Sequence, residues 1–165
     1  ANNTDEGMNG TTEMSQYVRG EISVQNDGQK LDYANIDRIN FFLGHLENVE
    51  AGVLADDVKN QMKGQALFWR AWDYWGKVFT VGGVPLILEE QNVQDMESLF
   101  LPRNSTGKCV AQILKDLDEA ISLLPGIWVN DDYGRIDKGC AMAFKGRVRL
   151  HLLSLIQLQR CRRRG

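Results

Sequence analysis

At 165 residues, with 43% hydrophobic and 25% charged side chains, the chain is long enough for one domain that buries roughly 70% of its unfolded surface. No run of about 18 uninterrupted apolar residues exists, because the most apolar stretch, Val148 to Leu158, is broken by Arg149, His151, Ser154 and Gln157. The net charge of −3 divides as −7 over residues 1–60, −3 over 61–140 and +7 over 141–165, but no groove-reading motif accompanies the basic end, so nucleic acid is not an expected partner.

The start has neither a basic segment nor an apolar one, so a secretory leader or lipid anchor is expected to lie outside this chain. Cys109, Cys140 and Cys161 form an odd set with no CxxC spacing, which argues against a disulfide framework or a zinc site. Cys109 and Cys140 are expected as buried small hydrophobes. No metal, cofactor or catalytic set is expected.

Residues 1–31 are polar, rich in Asn, Gly and Thr, and read as loop. From Asp32, a plausible cap, Tyr33, Ile36, Ile39 or Asn40, Leu43 and Leu46 recur at three- and four-residue spacing and predict an amphipathic helix within 32–49. The longest predicted helix spans about Asp56 to Phe79. Its stripe of Val58, Met62, Ala66, Trp69, Trp72 or Asp73 and Gly76 is widened by Phe68, Trp75 and Phe79, so it is expected to be central. Gly82-Gly83 and then Val84-Pro85 end it, and Pro85 to Glu90 is predicted as a short extended piece.

After a loop at Leu101 to Ser105, Ser105 or Thr106 caps a helix whose Val110, Ile113, Leu114, Leu117, Ile121 and Leu124 form the clearest amphipathic pattern in the chain. Leu124-Pro125-Gly126 stops it. A polar turn, Asn130 to Arg135, leads to Asp137 as N-cap of a helix from Lys138 to about Leu158. The result is an all-α reading: hairpins 32–49 with 56–79 and 105–124 with 138–158, joined by the connection 80–104. Gly64, Ala66 and Ala71, and Gly139, Ala141, Ala143 and Gly146, are spaced for close helix approach, and 75 residues separate Gly64 from Gly139. That interval is close to two periods of a helical-hairpin repeat.

Four ordered blocks resemble one family. The segment GQALFWRAWDYWGKVFTVGGVPLI resembles the signature of SusD/RagB outer-membrane nutrient-binding lipoproteins, a G-E-A-x-F-x-R-A-x-x-Y helix ending in a GGVPL loop. YANIDRINFFLGHLE, RNSTGKCVAQILKDLDEAISLLP and GRIDKGCAMAFKGRVRLHL resemble further helices of that family, and Thr4-Asp5-Glu6 resembles the element preceding them. Gln65 departs from the family's usual acid. After Leu153 the resemblance stops at LSLIQLQRCRRRG.

The resemblance implies TPR-like helical-hairpin repeats with long loops, as a fragment of a larger SusD-like fold. It makes residues 1–158 one incomplete helical-repeat domain and 159–165 a basic tail, disordered or frame-shifted. It also implies a non-enzymatic protein at the outer membrane, with an oligosaccharide and a TonB-dependent SusC-like transporter as partners. The alternative is a TPR-like protein–protein adaptor without a sugar site. A repeat array ending without a cap is expected to expose apolar surface on its last helix.

The residues singled out divide between scaffold and surface. Phe68, Trp69, Trp72 and Trp75 have the ring faces to stack on sugars, but their helical spacing predicts core packing. Arg70 is expected to pair with Asp116 or Asp118. Trp128 is expected to fold back over its hairpin, Asp131 and Asp132 lack a calcium-loop pattern, and His45 and His151 are expected as structural. Tyr17 and Arg19, flanked by Ser15, Gln16 and Asn26, combine a stacking ring with planar hydrogen-bonding groups and are the candidate glycan-binding residues.

Overall fold

The computed structural model describes residues 31–162 apart from 51 and 93, with the backbone alone described for 97, 98 and 154–162. Every regular element among these is helical: α1 (Ala34–Glu47), α2 (Asp56–Val81), α3 (Met96–Leu99), α4 (Thr106–Leu123) and α5 (Lys138–Arg162), with a 3-10 turn at Asn130–Asp132. Helix α2 packs on both α1 and α4, and α4 packs on α5. The all-α expectation holds, and both hairpins form. Short α3 and the 3-10 turn lie in segments where no helical period was read, and α5 runs to Arg162, past Leu158.

Local signals explain the ends. Ser105 caps α4, its hydroxyl accepting from the Lys108 N–H at 3.3 Å, and an Asp137 carboxylate oxygen accepts from the Cys140 N–H at 2.7 Å at the start of α5. Helix α1 instead begins after Tyr33, which makes no side-chain cap bond. Helix α2 stops at Gly82, whose φ of 78° suits a residue without a Cβ. At Gly83 the requirement is space: a Cβ there would lie 1.9 Å from the Asn104 carbonyl oxygen.

The core stripe of α2 is offset from the predicted one. Gly64, Leu67, Phe68, Arg70, Ala71, Tyr74 and Val78 are buried, together with Ala66 at the stripe's edge, whereas Val58, Met62, Trp69 and Trp72 are exposed. Phe68 follows the core-packing expectation and Trp75 is half-buried against the core, but Trp69 and Trp72 do not. The small-residue expectation also divides: Gly64 does admit α4's end, since a Cβ there would meet Leu124 Cγ at 3.0 Å, while Gly146 faces open space. The apolar faces of α1 and α4 are as read, with Ile36, Leu46, Val110, Ile113 and Leu117 buried. Met142, Leu150 and Leu153 of α5 are exposed, in line with the expected apolar surface on that helix.

One charged side chain organises this core. Arg70 Nε and Nη2 donate to the two carboxylate oxygens of Asp116 at 2.7 and 2.9 Å, and Nη1 donates to Asn40 Oδ1 and the Leu88 carbonyl at 3.2 Å each. Asn40 Nδ2 in turn donates to the carbonyls of Ile87 and Glu89, at 2.9 and 3.3 Å, and Gln112 Nε2 donates to Asp116 Oδ1 at 2.7 Å. The Tyr74 hydroxyl donates to the Ile87 carbonyl and accepts from the Ile87 N–H, at 2.8 and 2.7 Å. Three helices thereby hold the extended segment after Gly83, whose backbone has no sheet partner to satisfy it.

The same segment is tied at its start. Arg103 donates to the carbonyls of Gly83 and Val81 at 2.7 Å each, and the Tyr33 hydroxyl donates to the Pro85 carbonyl at 3.1 Å. The Cys109 thiol exchanges bonds with the backbone of Val84, at 3.3 and 3.4 Å. Cys109 is buried as expected, whereas Cys140 is exposed, because it sits in the first turn of α5 on the solvent side.

Two outcomes follow for stability. Asp116→Asn leaves the Arg70 guanidinium buried without its counter-charge, and urea unfolding is expected to show a loss of about 3–5 kcal/mol; a loss within the noise of a surface substitution would contradict this network. Burial raises the Tyr74 phenol above its ordinary 10.0, so the neutral hydroxyl is favoured in the fold. Its contribution is then complete below pH 10.0 and is lost as pH rises through the higher folded value. Stability against pH should be flat with respect to Tyr74 up to about pH 10.0 and fall above it, and the fall should be smaller in Tyr74→Phe.

Candidate functional site

The side of α2 turned away from the core carries Met62, Gln65, Trp69, Trp72 and Asp73. Trp69 is 48% exposed and Trp72 46%, against 2% for Phe68 beside them on the helix. Their inner sides rest on core rings: Trp69 meets Phe68 edge to face at 5.6 Å, whereas Trp72 lies tilted 4.7 Å from Phe144 of α5 and stacked 6.2 Å from Phe68. The two indoles meet edge to face at 6.4 Å and 73°. A ring packed on one side keeps a fixed orientation while offering the rest of its area to solvent.

These indoles border a groove of about 690 Å3, to which α1 contributes Asn35, Arg38, Ile39 and Phe42. Arg135 reaches it from the loop before α5. A groove of this size, lined by apolar and aromatic side chains with a few polar groups among them, fits the general form of a small-ligand site. Its charges are not equivalent. Asp73 accepts from Lys77 Nζ at 2.6 Å, and Arg135 pairs with Asp132 at 2.6 Å. Arg38 makes no ion pair or hydrogen bond among the described residues. Ring faces can stack on the C–H faces of pyranoses, while the amides of Asn35 and Gln65 and the guanidinium of Arg38 can read hydroxyl or acidic groups.

Other singled-out residues have structural duties. Trp128 folds back, its indole N–H donating to the Ile136 carbonyl at 2.8 Å, and Arg135 lies 5.9 Å from its ring centre; neighbouring Tyr133 is 82% exposed. His45 stacks on Phe41 at 3.9 Å, and His151 meets Trp75 and Phe79 at 5.3 and 4.9 Å. Asp132 serves the 3-10 turn through Arg135. Tyr17 and Arg19 lie outside the described residues. A second concavity of about 300 Å3 holds Lys63 between Glu119 and Glu47, and the hydrogen bond that Lys63 donates to Glu119 raises the Lys63 pKa. No group of three or more His, Cys, Asp or Glu suited to a metal occurs among the described residues, and none of their helices is long and apolar enough to cross a membrane.

The family model for SusD-like proteins, described as starch-binding and associating with the outer membrane, matches residues 2–150. The chain belongs to the SusD-like family. Among solved structures, a SusD-like protein from Bacteroides fragilis is 30% identical, with a TM-score of 0.66 over 72% of this chain and 22% of its own. A laminarin-binding SusD-like protein is 30% identical at a TM-score of 0.65, over 73% of this chain and 25% of its own. A sugar-binding protein from Bacteroides vulgatus is 25% identical at a TM-score of 0.57, over 72% and 27%. The chain thus spans about a quarter of the length of these relatives. No curated protein matches it.

Within the SusD-like signature helix, then, Arg70, Ala71 and Tyr74 build the scaffold, and Trp69 and Trp72 stand outside it. The signal that distinguishes them is present in the sequence: Gln65 and Asp73 share their face. Truncating Phe68 to Ala should cost about 3–5 kcal/mol in urea unfolding, whereas Trp69→Ala should cost under about 1.5 kcal/mol, since only its inner edge is packed. Equal losses would return Trp69 to the core.

Proposed function

We propose that this chain is part of a surface protein that binds an oligosaccharide at the outer membrane and hands it to a TonB-dependent, SusC-like transporter, without catalysis. The observation that carries the sugar-binding reading is the pair of half-exposed indoles, Trp69 and Trp72, held at fixed orientation over a groove within a SusD-like scaffold. Outer-membrane association is supported by the family description, and the substrate class by a relative named for laminarin binding. Attachment through a lipid anchor outside this chain, and the transporter partner, follow from the family resemblance. Tyr17 and Arg19 are proposed as further sugar contacts, because a ring beside planar hydrogen-bonding groups suits a pyranose.

A second reading, a protein–protein adaptor, is favoured by one observation: Met142, Leu150 and Leu153 are exposed on one side of α5. The two separate in calorimetric titration of the chain with laminari-, malto- and galacto-oligosaccharides, repeated for Trp69→Ala, Trp72→Ala and Tyr17→Ala. Sugar binding that weakens about tenfold in either Trp variant supports the groove, using a stacking contribution of about 1–3 kcal/mol as the guide. Loss confined to Tyr17→Ala places the site in the N-terminal segment. Binding to no sugar supports the adaptor.

A further inference from the structure

We propose that the groove beside Trp69 and Trp72 selects an anionic sugar residue, a pyranose carrying a carboxylate or a sulfate ester, with Arg38 as the partner of that charge. The proposal rests on the sugar-binding reading and adds a ligand class to it. Its basis is the unequal state of the charges around the groove. Asp73, the carboxylate among the groove's lining residues, is held by Lys77 at 2.6 Å, so it presents little uncompensated negative charge. Arg135 is shared with Asp132 at 2.6 Å. Arg38 projects from α1 into the same groove with no ion pair among the described residues.

The lining therefore carries an excess of positive charge in a molecule whose formal net charge is −3. General attraction of the whole protein for an acidic polymer does not explain that local sign; a local partner does. A guanidinium presents two parallel N–H groups that match the two oxygens of a carboxylate or sulfate. A neutral sugar would satisfy the ring faces and the amides of Asn35 and Gln65 but leave Arg38 without a counter-charge among the described residues. A substituent at the edge of a pyranose stacked on an indole projects in the plane of the sugar, into a groove that Arg38 also lines.

The test titrates the chain with tetragalacturonic acid, with its carboxyl-reduced neutral counterpart, and with a sulfated tetrasaccharide, neocarratetraose sulfate, at low and high sodium chloride. The proposal expects at least one anionic ligand to bind about five- to tenfold tighter than the neutral one at low salt, an advantage that shrinks as salt screens the charge. Arg38→Gln should erase the advantage with an unchanged melting temperature, as Arg38 is exposed and makes no ion pair among the described residues. Trp69→Ala should weaken anionic and neutral ligands alike. The carboxylate and sulfate arms show which acid is preferred. Equal affinity for anionic and neutral ligands overturns the proposal and leaves the sugar-binding reading intact. Anionic binding that ignores Trp69→Ala overturns it as mere charge attraction, and binding of none of the three, with none of the neutral panel either, overturns both.

Discussion

A guanidinium buried among helices must be answered on every side, and Arg70 is answered by Asp116 of α4, Asn40 of α1 and the backbone at Leu88. Removing two such charges from water is costly, and their attraction in the interior recovers that cost only when geometry is close to ideal. The arrangement is therefore better understood through position than through net stability. The pair fixes how α1, α2 and α4 meet, and with Asn40 and Tyr74 it gives the extended segment after Gly83 the hydrogen bonds that a sheet would otherwise supply.

That constraint also decides what α2 shows to solvent. Once Arg70, Ala71 and Tyr74 face inward, helical geometry turns residues 65, 69, 72 and 73 outward. Trp69 and Trp72 then lean on Phe68 and Phe144 and keep about half of their area exposed. Binding surfaces gain when their aromatic groups are already oriented, because less side-chain freedom is lost on association. The scaffold and the candidate site are thus two sides of one helix, and the network on one side sets the geometry of the other.

Much of the fold was legible because its helices are amphipathic. The Val110, Ile113 and Leu117 spacing of α4 has one apolar face, and Ser105 and Asp137 mark helix starts by side-chain chemistry that needs no tertiary knowledge. Helix α2 defeats the same reasoning. It is apolar most of the way round, and its true core stripe contains a charge, Arg70, so hydrophobic periodicity points to the wrong face. The pairing of Arg70 with an acid of α4 could be anticipated, but its consequence for the orientation of Trp69 and Trp72 depends on the three-helix contact. Short α3 and the turn at Asn130–Asp132 span too few residues to show a period at all. Gly146, read as a packing glycine, faces open space, since spacing alone does not say whether a neighbour is there.

The most direct measurement is a nuclear magnetic resonance titration that follows the indole N–H signals of the chain's four tryptophans, Trp69, Trp72, Trp75 and Trp128, as laminarihexaose or tetragalacturonic acid is added. The account predicts saturable shifts of Trp69 and Trp72, with Trp75 and Trp128 held in place by the packing around them. Shifts confined to Trp128, or saturable binding that leaves Trp69 and Trp72 unmoved, would contradict it.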